Sequence, residues 1–268
     1  MLDAIVAAAV AAGDAILEIY ARADVGASVK GDGSPVTAAD AAAEAIILAA
    51  LAKCASDVPV IAEESVAEGH APPVGARFFL VDPLDGTKEF LSRNGDFTVN
   101  IALIENGVPV LGVVHTPAHG EVYVGDVDGA RRAVLKDGKL SGWTLIHTRA
   151  APAEGLRVVA SRSHLTDETR DFIARFKVGD LVSAGSSLKF CRLAEGSADL
   201  YPRLGRTMEW DTAAGDAVLR AAGGSVRTLD GKALVYGKRG QADDVDFANP
   251  WFVASGPFDP FAVAAAAA

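Results

Sequence analysis

Residues 77–90, RFFLVDPLDGTKEF, run from an apolar segment into a stretch that sets Asp82 and Asp85 three positions apart around Pro83. The apolar part predicts a buried strand. Pro83 pre-sets one φ and Gly86 permits a backbone conformation other residues resist, so the end of the strand is expected to fold back in a tight turn. Both carboxylates then converge, and each raises the pKa of the other unless a counter-ion neutralises them. The plain alternative is a solvated loop in which each aspartate bonds its own backbone. The chemical alternative is a hard divalent cation such as Mg²⁺, which takes oxygen ligands at about 2.0–2.1 Å.

Acids elsewhere in the chain bear on that choice. AEES supplies Glu63 and Glu64 at the end of a short apolar strand, and EWDTAAGD supplies Asp211 at the expected start of a helix. With Asp82 and Asp85 these side chains would enclose two ions about 3.5–4 Å apart, an arrangement suited to phosphoryl chemistry. Gly86 and Thr87 open a short helical segment through Phe90, whose free backbone amides would cradle phosphate oxygens.

Composition narrows the partners. Over 268 residues, 25 Lys+Arg stand against 35 Asp+Glu, for a formal net charge of -10 and an isoelectric point near 5.0. No broad basic face is available for a nucleic-acid backbone, so long DNA or RNA is not expected as a partner. A small, highly charged anion would need cations supplied by the site itself. Cys54 and Cys191 form no CxxC pair, which points away from a zinc knuckle or disulfide framework and toward a reducing cytoplasm. MLDAIVAAAVAAGDAILEIY reads as an amphipathic surface helix rather than a secretion signal, because Asp3, Asp14 and Glu18 interrupt it. No apolar run approaches the roughly 20 residues a membrane span requires.

Helices are expected over about 2–21 and 37–53, separated by GASVKGDGSPVT. FTVNIALIENGVPVLGVVHTP predicts two strands joined at Asn106-Gly107, and EVYVGD another, giving an antiparallel sheet covered by helices. Beyond LSGWTLIHTRAAPAEG strands and helices alternate, with helices near 166–176, 187–194 and 212–222, the last capped by Asp211. That change of pattern divides the chain into an α+β half, 1–147, and an α/β half, 148–268. His115 and His119 have zinc-like spacing, but Pro117 between them argues against a shared helix, so both are expected to be ordinary loop residues. Trp210 is expected in the core, as are both cysteines. Lys88 and Arg93 are expected to steer anions toward the phosphate turn or to be plain surface charges.

DPLDGTKEF and WDTAAGDAVLRAAGG, with GDGSPVTAAD and AEES upstream, resemble the signatures of the lithium-sensitive, magnesium-dependent phosphatases. That superfamily includes inositol monophosphatase, fructose-1,6-bisphosphatase and 3′(2′),5′-bisphosphate nucleotidase, and the similarity runs over nearly the whole chain. The resemblance implies an α/β fold, a layered αβαβα sandwich. It implies that Glu64, Asp82, the backbone carbonyl of Leu84, Asp85 and Asp211 hold two to three magnesium ions. Gly86 and Thr87 would meet the phosphate together with Leu84, Asp85 and Asp211, while Asp40, the Thr87 hydroxyl and Glu64 would activate water.

VVASRSH, AGSSLKFC, LYPR and GTKEFLSRNGDFTVNIALI are similar to the bacterial bisphosphate nucleotidases of the CysQ type. By that likeness His164, Ser186, Lys189 and Arg203 would hold the nucleotide or its second phosphate, and Lys189 and Arg203 are suitable cationic types. The bland readings are a solvated Lys189 and a His164 that caps the following helix. The expected reaction removes the 3′-phosphate from adenosine 3′,5′-bisphosphate to give AMP, with the sulfated form of that nucleotide as a second expected substrate. Inositol monophosphate or fructose 1,6-bisphosphate is the alternative substrate, and a silent metal- or nucleotide-binding regulator the alternative class. A monomer or homodimer is expected, in the cytoplasm.

Overall fold

In the computed structural model, residues 1–29, 31, 35–161 and 165–262 are described. The first half contains α1 (Leu2–Tyr20), the short strands β1 (Ser28–Val29) and β2 (Pro35–Val36), α2 (Ala38–Cys54), β3 (Val60–Ala62) and α3 (Glu63–Ala67). Then come β4 (Arg77–Asp85), α4 (Thr87–Leu91), β5 (Thr98–Glu105), β6 (Val108–Thr116), β7 (Glu121–Asp126), β8 (Gly129–Lys136) and β9 (Lys139–Leu145). The second half contains β10 (Leu156–Ser161), α5 (Asp167–Ile173), β11 (Val178–Ala184), α6 (Leu188–Ala194) and β12 (Leu200–Arg203). It closes with α7 (Glu209–Ala221), β13 (Ser225–Thr228) and β14 (Phe252–Ser255).

Strands β3 to β9 form one sheet in sequence order, parallel at β3–β4 and antiparallel from β4 onward. The β5–β6 connection is the expected hairpin: Asn106 and Gly107 have φ of 51° and 77°, the left-handed pair a two-residue turn requires. Strands β8 and β9 were not anticipated, because Arg131, Arg132 and the glycines break the apolar alternation there. The second sheet has the order β11-β10-β12-β14-β13, parallel at β10–β11 and β10–β12 and antiparallel around β14.

Side chains alternate across each strand, and that period of two sorts the molecule into five layers. Phe79, Val81, Ile101, Leu103 and Val113 face α1 and α2, where Ile5, Ile16, Ile47 and Leu51 are fully or almost fully buried. Their neighbours Phe78, Leu80, Ala102, Ile104 and Val114 face the other way, onto α6 and α7. The same core continues into Tyr201, Val226, Phe252 and Ala254 of the second sheet. On the far side of that sheet Val158, Leu200 and Val253 meet Phe172 and Ile173 of α5. The layers are thus helices, sheet, helices, sheet, helix, the αβαβα arrangement expected from sequence.

Helix α7 lies unusually close to the first sheet. A Cβ on Gly112 would run into the Ala214 carbonyl oxygen, and one on Gly125 into the Val218 backbone, so only glycine admits the helix at this distance. These contacts set how closely α7, which carries Asp211, packs on the sheet. Among the described residues no helix is long and apolar enough to cross a membrane.

Candidate active site

The tight turn expected at Asp82 and Asp85 is not formed, and Asp85 lies outside the carboxylate cluster that contains Asp82. Both belong to β4, where Asp82 faces Asn100 and Asp85 faces Thr98, so three steps on β4 oppose two on β5. This bulge accommodates Pro83, which has no N–H to give to the ladder. The Leu84 amide donates to Asp82 Oδ1 at 3.0 Å and holds the loop of the bulge. Gly86 follows with φ 94°, the left-handed conformation from which α4 starts at Thr87.

Folding brings Glu63, Asp82 and Asp211 together, with one carboxylate oxygen from each lying within 4.8 Å of the others. The sequence reading had given Glu64 this place. The first turn of α3 decides otherwise: buried Glu44 of α2 accepts the amides of Glu64 and Ser65, each at 2.9 Å, and the Ser65 hydroxyl at 2.6 Å. With the helix start pinned in this way, it is the residue one position earlier whose side chain joins the two aspartates. Adjacent glutamates differ by about 100° around a helix, and nothing in AEES alone distinguishes them.

Asp211 is the third residue of α7 rather than its cap. Its Oδ2 accepts the Met208 amide at 2.8 Å, so the carboxylate closes the helix start from inside. Burial drives the Asp82 pKa well above its ordinary value, and Glu63, Asp85, Asp211 and Asp40 add to the rise. Asp211 is likewise pushed well up, by burial first and then by Asp85 and Glu63. Asp85 is raised by burial against the opposing pull of Lys189 and the hydrogen bonds of Ser187. Hard oxygen donors that repel one another in a partly buried cluster are the chemistry a divalent cation neutralises, so these residues fit a metal ion and the cluster could bind one.

Asp40 sits in the first turn of α2, 2% exposed. Its Oδ2 accepts the Thr37 amide and hydroxyl, both at 2.7 Å, which leaves Oδ1 toward Thr87, whose hydroxyl donates to it at 3.4 Å. The same hydroxyl reaches the Leu84 carbonyl oxygen at 3.4 Å. Glu63, Asp82, Leu84, Asp85, Gly86, Thr87 and Asp211 line a cavity of about 270 Å³ together with Ser186, Lys189, Tyr201, Arg203 and Arg206. Glu64 is not among the lining residues. A larger groove of about 610 Å³, between α1 and the β8–β9 edge, is walled mainly by apolar side chains such as Val6, Val10, Leu140 and Trp143.

Lys189 is buried rather than solvated: its Nζ donates to the Ser186 carbonyl at 2.5 Å and lies 5.3 Å from the Tyr201 ring centre. Burial lowers its pKa to about 8, with Asp85 pulling the other way. Arg203 gives one Nη2 bond to the Arg206 carbonyl at 2.9 Å, while its Nε and the Ser186 hydroxyl are buried with no hydrogen-bond partner among the described residues. His164 lies outside the described residues. Of the remaining candidates, Trp210 packs in the core beside Phe247 at 6.2 Å. Cys191 is buried and Cys54 half-buried. Arg93 lies over Tyr20 and donates to the Arg22 carbonyl at 2.7 Å, so it is engaged at the surface of α1. His115 is no loop residue: it is buried in β6 with Nδ1 2.9 Å from the Glu121 carbonyl oxygen, whereas His119 pairs with Asp96 at 3.3 Å.

Four supporting residues were not named in the sequence reading: Glu44, Asn100, Ser187 and Tyr201. Only Asn100 leaves a signal, as a polar residue within the otherwise apolar run VNIALI at a position 1% exposed.

The model of the inositol monophosphatase family matches residues 1–253. The 3′(2′),5′-bisphosphate nucleotidase CysQ of Escherichia coli K12 is 44% identical over 253 residues, covering 94% of this chain and 98% of that protein. Among solved structures, CysQ of Bacteroides thetaiotaomicron, described as a bacterial member of the same family, superposes with a TM-score of 0.77 at 38% identity, covering 96% of this chain and 97% of that one. The Thermotoga maritima inositol monophosphatase superposes with a TM-score of 0.77 at 26% identity, over 99% of this chain and 96% of the other.

Proposed function

The chain belongs to the inositol monophosphatase family, and on that premise we propose that it is a magnesium-dependent 3′(2′),5′-bisphosphate nucleotidase. Its substrate is adenosine 3′,5′-bisphosphate, whose 3′-phosphate it hydrolyses to give AMP and inorganic phosphate. The sulfated form of that nucleotide is a second substrate, and the role is clearance of a by-product of sulfate activation in the cytoplasm.

One observation carries the reading: a single cavity is lined both by the carboxylates Glu63, Asp82, Asp85 and Asp211 and by the cationic side chains Lys189 and Arg203. A substrate with two phosphates matches both, the scissile one toward the acids and the second toward the cations. Inositol monophosphate has no second phosphate to use them. In this proposal Glu63, Asp82, Asp85, Asp211 and the Leu84 carbonyl hold Mg²⁺, with Glu63 taking the part the sequence reading gave to Glu64. When bound, the ions supply Lewis-acid stabilisation of phosphate charge and lower the pKa of water.

The chain's own groups do the rest. Asp40 holds the Thr87 hydroxyl, and the pair orients the attacking water and accepts its proton at Asp40 Oδ1. Thr37 keeps Oδ2 occupied, so the two oxygens of Asp40 are not interchangeable. The Gly86 and Thr87 amides bind the scissile phosphate. Ser186, Lys189, Arg203 and His164 bind the second phosphate and the nucleotide, so that 1–147 supplies most of the reacting groups and 148–268 supplies the substrate contacts and Asp211.

Turnover of adenosine 3′,5′-bisphosphate, inositol 1-phosphate and fructose 1,6-bisphosphate, each with Mg²⁺, tests this directly. The nucleotide is expected to lead in kcat/KM by about tenfold or more, the size of one charged hydrogen bond. A lead for inositol 1-phosphate would reject the nucleotide assignment, and no turnover of any ester would reject the enzyme.

A further inference from the structure

Ser187 stands at the N-cap position of α6 yet makes no side-chain bond to that helix. Serine is favoured at such positions because its hydroxyl accepts a free amide of the first turn, and losing that bond costs about 0.5–2 kcal/mol. Here the backbone is already helical, with φ -67° and ψ -7°, and the hydroxyl is directed elsewhere. It donates to the backbone carbonyl oxygen of Asp211 at 2.6 Å and accepts from Asn100 Nδ2 at 3.0 Å. The Ser187 amide donates to Asp85 Oδ2 at 2.6 Å, and Asn100 Nδ2 reaches the same oxygen at 3.4 Å. Both polar hydrogens of Ser187 therefore serve residues that carry carboxylates of the site, and neither serves its own helix.

We propose that Ser187, braced by Asn100, is a positioning residue that holds the acid-bearing end of β4, with Asp85, in register with the first turn of α7, which carries Asp211 of the Glu63–Asp82–Asp211 cluster. The inference rests on the reading of the acid cluster as a metal centre. The three partners belong to three elements, β4, β5 and α7, and Ser187 is the point at which they meet. Without such a tie, the mutual repulsion of the carboxylates favours their separation before a cation arrives. The bend that delivers Ser187 is itself confined: Ser186 has φ 44°, and a Cβ on Gly185 would collide with Asp96 and Glu89.

Asn100 is part of the same network. It is 1% exposed and its Oδ1 has no hydrogen-bond partner among the described residues. A buried amide with half its bonding unmet is costly in an apolar strand, which argues that the Nδ2 bonds to Ser187 and Asp85 are what the residue is kept for.

The test is equilibrium binding of Mn²⁺ alone to the substrate-free full chain, read from the electron paramagnetic resonance signal of the free ion, together with kcat and KM for adenosine 3′,5′-bisphosphate. Ser187→Ala is expected to weaken Mn²⁺ binding about 5–20-fold, the loss of one or two buried hydrogen bonds, and to lower kcat with little change in KM. Ser187→Thr restores the hydroxyl and is expected to recover most of both. Asn100→Ala should shift Mn²⁺ binding in the same direction by less. The double variant should fall short of the summed effects, because the two groups share one network.

Mn²⁺ binding by Ser187→Ala that superposes on wild type would overturn the proposal even if thermal stability dropped, since a merely structural serine has that signature. Failure of threonine to rescue would overturn it also. If Ser187→Ala does not fold, Asn100→Ala carries the same readout. If the unaltered chain binds no Mn²⁺, it is the metal-centre reading that fails, and the two failures are told apart by that control.

Discussion

The carboxylate of Glu44 accepts the backbone amide of Glu64 at 2.9 Å, and this contact between two acidic residues settles which neighbouring glutamate reaches the site. The bond, repeated at the Ser65 amide, fixes the start of α3 and leaves Glu63 to join Asp82 and Asp211. Glu63→Gln is expected to lower turnover by about 100-fold or more and to weaken Mg²⁺ binding, because one charge leaves a cluster that acts through charge. Glu64→Gln keeps both its amide and the fold and should stay within about tenfold of wild type. Parallel turnover and metal titration of the two variants check this, and the reverse ranking would restore the sequence assignment.

Asp40 and Thr87 predict a separable catalytic defect. Asp40→Asn should reduce kcat by about 10²–10⁴-fold, the usual worth of a positioned acid–base group. Metal affinity should change far less than kcat, since Asp40 Oδ2 is held by Thr37 and Asp40 is the smallest of the charges acting on Asp82. Single-turnover kinetics beside a metal titration separates the two quantities, and a joint loss would move Asp40 into the metal set.

Chelation should destabilise the protein, because the cluster then keeps its repulsion. A carboxyl whose pKa is raised by folding weakens the folded state above its unfolded pKa, and the penalty disappears as pH falls and the group takes a proton. Asp82 and Asp211 are both raised well above the ordinary value. Saturating Mg²⁺ at neutral pH is expected to raise Tm by about 5–10 °C, as binding at about 100 times Kd gives in a domain of this size. At pH 5 the gain should shrink as protons compete with the cation. Differential scanning calorimetry with and without chelator measures both, and a pH-independent gain would contradict the assignment.

Lys189 gives the second-phosphate proposal a pH signature. Burial lowers its pKa to about 8 against the opposing effect of Asp85, so the cation that binds an anion prevails below that value and is lost above it. KM for adenosine 3′,5′-bisphosphate should climb as pH rises past about 8, while a bound phosphate shifts the midpoint upward in the complex. Lys189→Gln should raise KM about 10–100-fold at neutral pH and remove the climb. A KM profile unaltered by the substitution would place the second phosphate elsewhere.

Gly112→Ala is the stability prediction farthest from the chemistry. The added methyl meets the Ala214 carbonyl oxygen across the sheet–helix contact, and overpacking of this kind costs about 1–3 kcal/mol. Urea unfolding measures the cost directly, and a value near zero would mean that α7 shifts to accept it.

What the sequence made legible follows from what repeats locally. The alternation of Phe78 and Leu80 with Phe79 and Val81 announces a strand with two buried faces, and Asn106-Gly107 announces its neighbour's hairpin. Asp82, Asp85 and Asp211 stood out because acids were repeated beside Pro83, Gly86 and a helix start. Choosing between Glu63 and Glu64 needed Glu44, a residue 20 positions from the amide it holds, and no local pattern carries that information. Ser187 was legible only as the start of a helical segment; its partners lie 24 and 102 residues away. Asp211 proved to be the third helical residue because Met208, whose amide it takes, opens α7 without a side-chain cap of its own. Strands β8 and β9 were hidden by arginines that pair instead with Asp126 and Glu121 at the sheet's polar margin.

Helix α7 is shared property of both sheets, for its buried residues close one continuous core with Phe78 and Tyr123 on one side and Val226 and Phe252 on the other. Neither half can therefore be excised as a minimal catalyst. A fragment ending before α7 would expose a broad oily surface and surrender one arm of the acid cluster in the same cut, so loss of reactivity and loss of solubility should arrive together in any truncation series.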